Sequence, residues 1–140
     1  MSYLSVARAA MIAKGAGIAG IRATYVRLPE TIGAAPALVL GQMTWTTVPG
    51  NRERSIYTFE LDLFVERVAD DDRAIATTDD LIDLIQAAYA LTITLGQSGT
   101  TQATILGGSS NSWVTVGASE YLRTRFVYVL ESTRTAAYTA

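Results

Sequence analysis

The sequence predicts an α+β fold in which a mainly antiparallel, twisted sheet with long central hairpin strands packs against two α-helices. Two long stretches, 55–68 and 121–131, alternate apolar and polar residues, as strands with one buried face do. Two other stretches, 2–14 and 79–95, carry apolar residues at helical spacing. Because the strands come in neighbouring runs with helices inserted between them, the α+β class is favoured.

The N-terminal region predicts one helix followed by short strands. Ser2 is a suitable N-cap for a helix over 2–14, because its hydroxyl can accept a hydrogen bond from a free backbone amide. The glycine-rich segment 15–20 ends this helix. Residues 24–28 predict a short strand, and the apolar run 37–40 predicts a central strand because it has no polar face.

A long hairpin is expected next. Residues 42–48 alternate, and a Pro-Gly-Asn turn at 49–51 leads through a charged tip at 52–54 into the long strand 55–68. One face of the long strand carries Tyr57, Phe59, Leu61, Leu63 and Val65, and the other carries Thr58, Glu60, Asp62, Phe64 and Glu66. The strand therefore predicts one apolar face and one mostly acidic face.

An acidic loop and a second helix follow the hairpin. Asp70, Asp71 and Asp72 form the predicted loop, and Thr78 is the predicted N-cap of a helix over 79–95. Two more aspartates stand in the first turn of that helix, where the helix dipole favours anions.

The C-terminal region predicts strands and a tail. Residues 103–106 and 113–116 predict two short strands, and 121–131 predicts the final long strand. The small and polar residues 132–140 predict a flexible tail, or an arm that a neighbouring subunit holds. Residues 1–131 are therefore expected to form a single domain.

Composition excludes several classes of chemistry. The chain has 140 residues, no His and no Cys, so disulfides, thiol chemistry and zinc-finger sites are excluded. A net charge of −2 gives little drive for sequence-independent binding of nucleic acid. No apolar run reaches the length of a membrane span, and a protein made in the cytoplasm is expected.

The segment 15–20 matches the glycine pattern of dinucleotide-binding folds. That pattern needs a strand before it and a helix after it, so that amides at the helix start contact the pyrophosphate. In this chain the predicted helix comes first. No cofactor is therefore predicted, and a small nucleotide-binding or ligand-binding domain stays an alternative interpretation.

Acidic residues invite two further interpretations. Glu60 and Asp62 share a strand face, as paired catalytic carboxylates can, but the sequence offers no third catalytic group. Ion pairs with Arg123 and Arg125, within or between subunits, are predicted instead. The aspartates from position 70 onward lack the spacing of a calcium loop, so neither a metal site nor an enzyme is predicted.

The order of these elements resembles the tail terminator, or tail completion, proteins of long-tailed bacteriophages, and the wider group of neck and head–tail joining proteins. The resemblance covers residues 3–132 and begins with the N-terminal helix. It continues with a proline-preceded strand at 36–40, a long alternating strand at 57–67, an amphipathic helix at 79–95, and a closing strand entered through a tyrosine at 120–130.

This resemblance implies a structural virion protein without an active site. Family members form a ring, commonly hexameric, that caps the tail tube, ends its polymerisation and offers a docking surface to the head connector. The implied partners are copies of the chain itself, the tail tube protein and the connector or stopper protein. DNA passes through without specific binding. The implied location is the neck of a virion assembled in the host cytoplasm; a head-completion or stopper role is the alternative.

The resemblance also suggests which residues make contacts. The candidates for the lumen or for contacts between subunits are Glu60, Asp62, Glu66, Arg123 and Arg125. The candidates for axial contacts to the tube or connector are Arg52, Glu53, Arg54, Asp70, Asp71 and Asp72.

Overall fold

The computed structural model describes residues 3–50, 52–67, 71–90, 100–106 and 112–135. Its elements are α1 (Tyr3–Ala16), β1 (Ala23–Tyr25), β2 (Ala37–Val48), β3 (Arg52–Glu66), α2 (Asp71–Ala90), β4 (Thr100–Leu106), β5 (Ser112–Val116) and β6 (Ser119–Thr135). Within these residues there are two helices and one mixed sheet, which confirms the α+β class.

The sheet has the strand order β1-β2-β3-β6-β4, and β5 pairs with β6 beyond the end of β4. β1 runs parallel to β2, whereas the other neighbours are antiparallel. The predicted antiparallel character is therefore matched in part. β2 and β3 form the expected hairpin, and β3 pairs with β6 from Arg52↔Thr135 to Glu66↔Tyr121. The two long alternating segments are thus direct neighbours.

One face of the sheet packs against both helices. The predicted apolar face of β3 is buried, and Phe59, Leu61 and Leu63 are at most 1% exposed. Their partners on β6 include Phe126 and Tyr128, which are equally buried. Because side chains alternate along a strand, the matched pairs place one continuous apolar surface under the helices. We call this the helix-covered face.

The opposite face, which we call the second face, is covered at one end only. A smaller apolar cluster there comprises Ile32, Ala37, Val39, Phe64, Val116 and Tyr121. It is built by the loop between β1 and β2 and by the β5–β6 turn, where Gly117 adopts a left-handed φ of 62°. Phe64, assigned from the sequence to the mostly acidic face, therefore lies there in an apolar environment.

Helix α2 begins earlier than predicted. It starts at Asp71, so Thr78 lies inside the helix and is buried, instead of capping it. Asp71 and Asp72 occupy the first turn, where they interact favourably with the helix dipole. Arg67 holds this start, because its Nε lies 2.6 Å from Asp71 Oδ1 while its Nη1 lies 2.6 Å from Glu120 Oε2 at the start of β6. The expected acidic loop is thus largely helix.

The central strands are longer than predicted. Arg52, Glu53 and Arg54 lie in β3 and not in a turn, because β6 continues to Thr135 and pairs with all three. Residues 132–135 of the predicted tail are therefore strand. The segments 37–40 and 42–48 form one strand, with a register irregularity between Leu40 and Met43. Asp70 and the residues 91–95, 107–111 and 136–140, which the sequence predicts to be helix, loop and tail respectively, lie outside the described residues.

The glycine-rich segment has a packing role at its first position. Gly15 lies in the last turn of α1 and is buried. A Cβ at this position would lie 3.0 Å from Leu38 Cδ1 and 3.1 Å from Tyr89 Oη. The Tyr89 hydroxyl also donates a 2.7 Å hydrogen bond to the backbone oxygen of Met11. Gly15 therefore lets α1 approach β2 and α2 closely.

Substituting Gly15 by Ala should lower the free energy of unfolding by about 1–3 kcal/mol, because the new methyl group would overpack this junction. Gly17→Ala is the matched control, since its Cβ would meet only backbone oxygens at 3.6 Å or more. Urea denaturation of both variants measures the difference. Equal stability of the two variants would contradict the packing role of Gly15.

Two buried tyrosines meet beneath the helices. The rings of Tyr89 and Tyr128 are edge to face, with centroids 5.0 Å apart. The Tyr128 hydroxyl is buried and has no hydrogen-bond partner among the described residues. Burial raises the pKa of Tyr128 from 10.0 to about 12. The pKa of Tyr89 is also raised, chiefly by burial and to a smaller extent by the neighbouring Tyr128. Both phenols stay protonated in the fold at pH values where the unfolded chain ionises them.

We expect Tyr89→Phe to lower the free energy of unfolding at pH 7 by about 0.5–1.5 kcal/mol through loss of its hydrogen bond, and Tyr128→Phe to lower it by less.

The free energy of unfolding of the natural chain should fall as the pH rises from 10.0 towards about 12, because only the unfolded state loses these protons. Tyr128→Phe should make that fall shallower. Denaturation curves at a series of pH values test this, and an unchanged pH dependence would refute it.

Candidate functional site

A charged cluster lies on the second face, where β3 and β6 pair. Asp62 and Arg125 are directly opposite in the register. Arg125 Nε donates to Asp62 Oδ1 at 2.9 Å, and Arg125 Nη2 donates to Asp62 Oδ2 at 3.1 Å. Glu60 Oε2 lies 3.5 Å from the same Nη2. The ion pairs predicted for Arg125 therefore form within the chain, whereas the one predicted for Arg123 is not found among the described residues.

The Asp62–Arg125 pair is a forked contact in a largely buried place. Asp62 is only 6% exposed, so its carboxylate needs a charged partner to offset its lost hydration. The two parallel hydrogen bonds provide that partner. The same hydrogen bonds, assisted by the charges of Asp62 and Glu60, raise the pKa of Arg125. The pair neutralises Asp62 and fixes the register of the two central strands.

Arg123 has a different environment although it is two residues away on the same strand face. It lies opposite Phe64, and its Nη2 donates to Ser112 Oγ, at 3.3 Å. Its Nε is buried and has no hydrogen-bond partner among the described residues. No carboxylate of the described residues forms an ion pair with it. Arg123 therefore has donor capacity that Arg125 does not have.

The cluster lines a groove of about 360 Å³. Its charged and polar residues are Gln42, Glu60, Asp62, Thr115, Arg123 and Arg125, and the rest of its lining is Leu28, Val39, Gly41, Phe64, Val114 and Val116. The groove lies where the smaller apolar cluster of the second face ends. Sequence reasoning found the charged residues and placed Phe64 on the same strand face, but it missed the apolar wall as a unit, since Leu28 comes from a loop and Val114 and Val116 come from β5.

The other predicted contact residues are dispersed. Glu66 is exposed at the end of β3 and borders a separate groove with Arg22 and Arg73, so it does not join Glu60. Arg54 is near the start of β3, with its Nε 3.7 Å from Glu131 Oε1. Asp71 follows the other end of the strand.

The two predicted axial groups consequently lie at opposite ends of the sheet. The segment 52–54 is at the start of β3, and Asp71 and Asp72 come shortly after its end. β3 has 15 residues, which at about 3.3 Å per residue span about 45 Å. Asp70 lies outside the described residues. The placement separates the two groups by about the length of β3.

Both sides of the sheet have unpaired edges within the described residues. β1 covers β2 only at Ala37–Val39, so residues 43–48 of β2 pair with β3 alone. On the other side, β4 pairs with β6 alone. Neither 43–48 nor β4 contains a charged residue or a proline. Such edges usually carry charges, prolines or bulges that prevent pairing with another chain.

The β2 edge also exposes large apolar side chains. Trp45 is 65% exposed and Val48 is 41% exposed. Both lie within the segment that has no second strand partner. Tryptophan is enriched at protein interfaces, where a large apolar surface becomes buried. Edge and side chains together make 43–48 the strongest candidate assembly surface of the described chain.

Two features are absent from the described part of the chain. Within the described ranges, no helix has the length and apolar character needed to cross a bilayer. The same ranges contain no group of three or more His, Cys, Asp or Glu residues that could hold a metal ion. No protein-family model matches the chain, and no curated protein matches it.

Replacing Asp62 by Asn should lower the free energy of unfolding by about 1.5–3 kcal/mol, because the fork to Arg125 is lost in a largely buried place. Glu60→Gln is the matched control on the same strand face. Its contact is longer and more exposed, so we expect a loss below about 1 kcal/mol. Chemical denaturation of both variants tests this ranking, and the reverse order would show that Asp62 does not stabilise the register.

Proposed function

We propose that this chain is a structural subunit that assembles with copies of itself into a ring, and that the ring caps a bacteriophage tail tube. The ring ends polymerisation of the tube and offers a docking surface to the head connector. One observation carries the proposal: within the residues that the structure describes, the long sheet has an unpaired edge without charged residues on each side. The order of the elements, which resembles tail terminator proteins, supplies the particular role.

The directions of the edge strands suit a head-to-tail assembly. Each neighbour in the order β2-β3-β6-β4 is antiparallel, so β2 and β4 run in opposite directions. If β4 of one copy lies beside β2 of the next, the two strands pair antiparallel while both copies keep the same orientation. Contacts of this heterologous kind close into a ring when the rotation between copies closes.

The lengths of the edges are also compatible. β4 has 7 residues, and the unpaired part of β2 spans 43–48. Pairing along these segments would satisfy backbone amides and carbonyls that otherwise bond to water. It would also bring Trp45 and Val48 towards the neighbouring copy, which would remove apolar surface from water.

The charged groups fit the two axial faces of such a ring. The segment 52–54 and the residues Asp71 and Asp72 lie at opposite ends of β3. If the strands run roughly along the ring axis, one group faces the tube and the other faces the connector. In this arrangement, each end of the ring offers a different charged surface to a different partner.

The second face suits the lining of a DNA passage. Arg125 compensates one of the two negative charges of Asp62 and Glu60, and the net charge of the whole chain is −2. A lumen formed by this face would present no excess of positive charge to phosphates. DNA could then pass without being bound electrostatically.

A charged edge should prevent ring formation. We expect the double variant Thr44→Lys/Thr46→Lys to stay monomeric under conditions where the natural chain forms rings, because two ammonium groups on the β2 edge oppose strand pairing. Ala76→Lys/Ala87→Lys is the matched control, since it adds the same charge on exposed positions of α2. Native mass spectrometry, with and without tail tubes, measures the assembly. Loss of the ring in both variants, or in neither, would refute the edge model.

The role in the tail is tested by removing the protein from infected cells. Electron microscopy should then show overlong tail tubes without heads, since nothing ends polymerisation. Adding the purified protein should restore normal tail length. Tubes of normal length that fail to join heads would overturn termination and favour the head-completion or stopper role.

A further inference from the structure

The groove on the second face contains an arginine whose charge has no partner among the described residues. Arg123 lines the groove, and within the described part of the chain its hydrogen bond is to the neutral Ser112 hydroxyl, at 3.3 Å. Its buried Nε lacks an acceptor among the described residues. Buried donors are nearly always hydrogen-bonded in folded proteins. Because the described residues supply no acceptor, this donor indicates a binding partner.

Comparison with Arg125 indicates the chemistry of that partner. Arg125 uses Nε and Nη2 to bind the two oxygens of Asp62. In Arg123, Nη2 donates to Ser112, and Nε has no acceptor among the described residues. A guanidinium fork matches the planar geometry of a carboxylate. A ligand carboxylate that accepts hydrogen bonds from Nε and Nη2 of Arg123, either beside Ser112 or in its place, would form the same forked contact that Arg125 makes with Asp62.

The surroundings of Arg123 restrict the rest of the ligand. Phe64, Val39 and Val116 belong to the apolar part of the groove wall and are buried. An apolar group next to the carboxylate would contact these side chains. The groove volume of about 360 Å³ is within the range of small-molecule sites. A ligand with one carboxylate and one apolar group fits both parts of the groove.

The acidic residues restrict the charge of the ligand. Glu60 and Asp62 share Arg125, so these three residues together carry one excess negative charge. A phosphate or a dicarboxylate would bring additional negative charge close to that excess. Like charges at short distance repel one another. The groove therefore favours a singly charged acid over a multiply charged anion.

We propose that this groove binds a monocarboxylate with an apolar group, with its carboxylate on Arg123 and its apolar group against Phe64. Such a carboxylate occurs both in a free aromatic or aliphatic acid and at the C-terminus of a peptide. The inference does not depend on ring formation or on the role in a phage tail.

The binding test uses three probes on the full chain: benzoate, N-acetylphenylalanine and N-acetylphenylalanine amide. Titration by two-dimensional NMR should show saturable shifts of the Arg123 Nε–Hε signal with at least one of the two acids, and none with the amide. Stronger binding of N-acetylphenylalanine would identify a chain terminus as the source, and stronger binding of benzoate would identify a free acid. Absence of saturable binding by both acids, or equal binding of the amide, would overturn the proposal.

Variants locate the site and test its charge selectivity. Arg123→Gln should weaken binding of the preferred acid by about tenfold or more, whereas Arg22→Gln, in the separate groove, should leave it unchanged. Glu60→Gln should tighten binding a few-fold, because it removes negative charge from the groove. Glu60→Gln keeps the test decisive if Arg123→Gln does not fold. Unchanged affinity in Glu60→Gln, or stronger binding of inorganic phosphate than of either acid, would contradict the assigned site.

Discussion

The pairing of β3 with β6 along the whole of β3 is the constraint on which the rest of the structure depends. The pairing joins Phe59 with Tyr128 and Leu61 with Phe126 on the helix-covered face. A slip by one residue would move every side chain of a strand to the other face, and Asp62 would then lie beneath the helices. The fork between Asp62 and Arg125 opposes such a slip, because it forms only when these residues are opposite each other. Hydrophobic alternation and one ion pair thus specify the same register.

Sequence reasoning could identify the faces of the strands but not all of their ends. Alternation is local, so the buried residues of β3 were predictable from the residues themselves. The strand at 52–54 was not, because its pairing depends on residues at the far end of the chain. The start of α2 shows a different difficulty. Aspartates suited to a helix N-terminus occur at 71–72 and again after Thr78, and the local signal cannot choose between them. The contact of Arg67 with Asp71 and Glu120 favours the earlier start.

The candidate surfaces, like the strands, could be predicted from the sequence only in part. The pairing of Arg125 with Glu60 and Asp62 followed from opposite charges on two strands with matching alternation. The contrast between Arg123 and Arg125 did not, since it depends on Ser112 of β5 and on the position of Phe64. The free edge at 43–48 was also hidden, because β1 covers only the first residues of β2. Which strand lies at the rim of a sheet is a property of topology, and no residue pattern within that strand encodes it.

The twist of a sheet affects how copies assemble when the strands at both of its edges are unpaired. A strand pair that joins two identical copies contains nothing that limits how many copies follow. Whether the assembly closes or grows into a helical filament depends on the angle between successive copies, and that angle follows from the coiling of the strands. A change far from either rim, such as one at the register irregularity between Leu40 and Met43, could therefore alter the number of copies without touching a single contact between them. In such a subunit, the curvature of the strands would determine the number of copies in the ring.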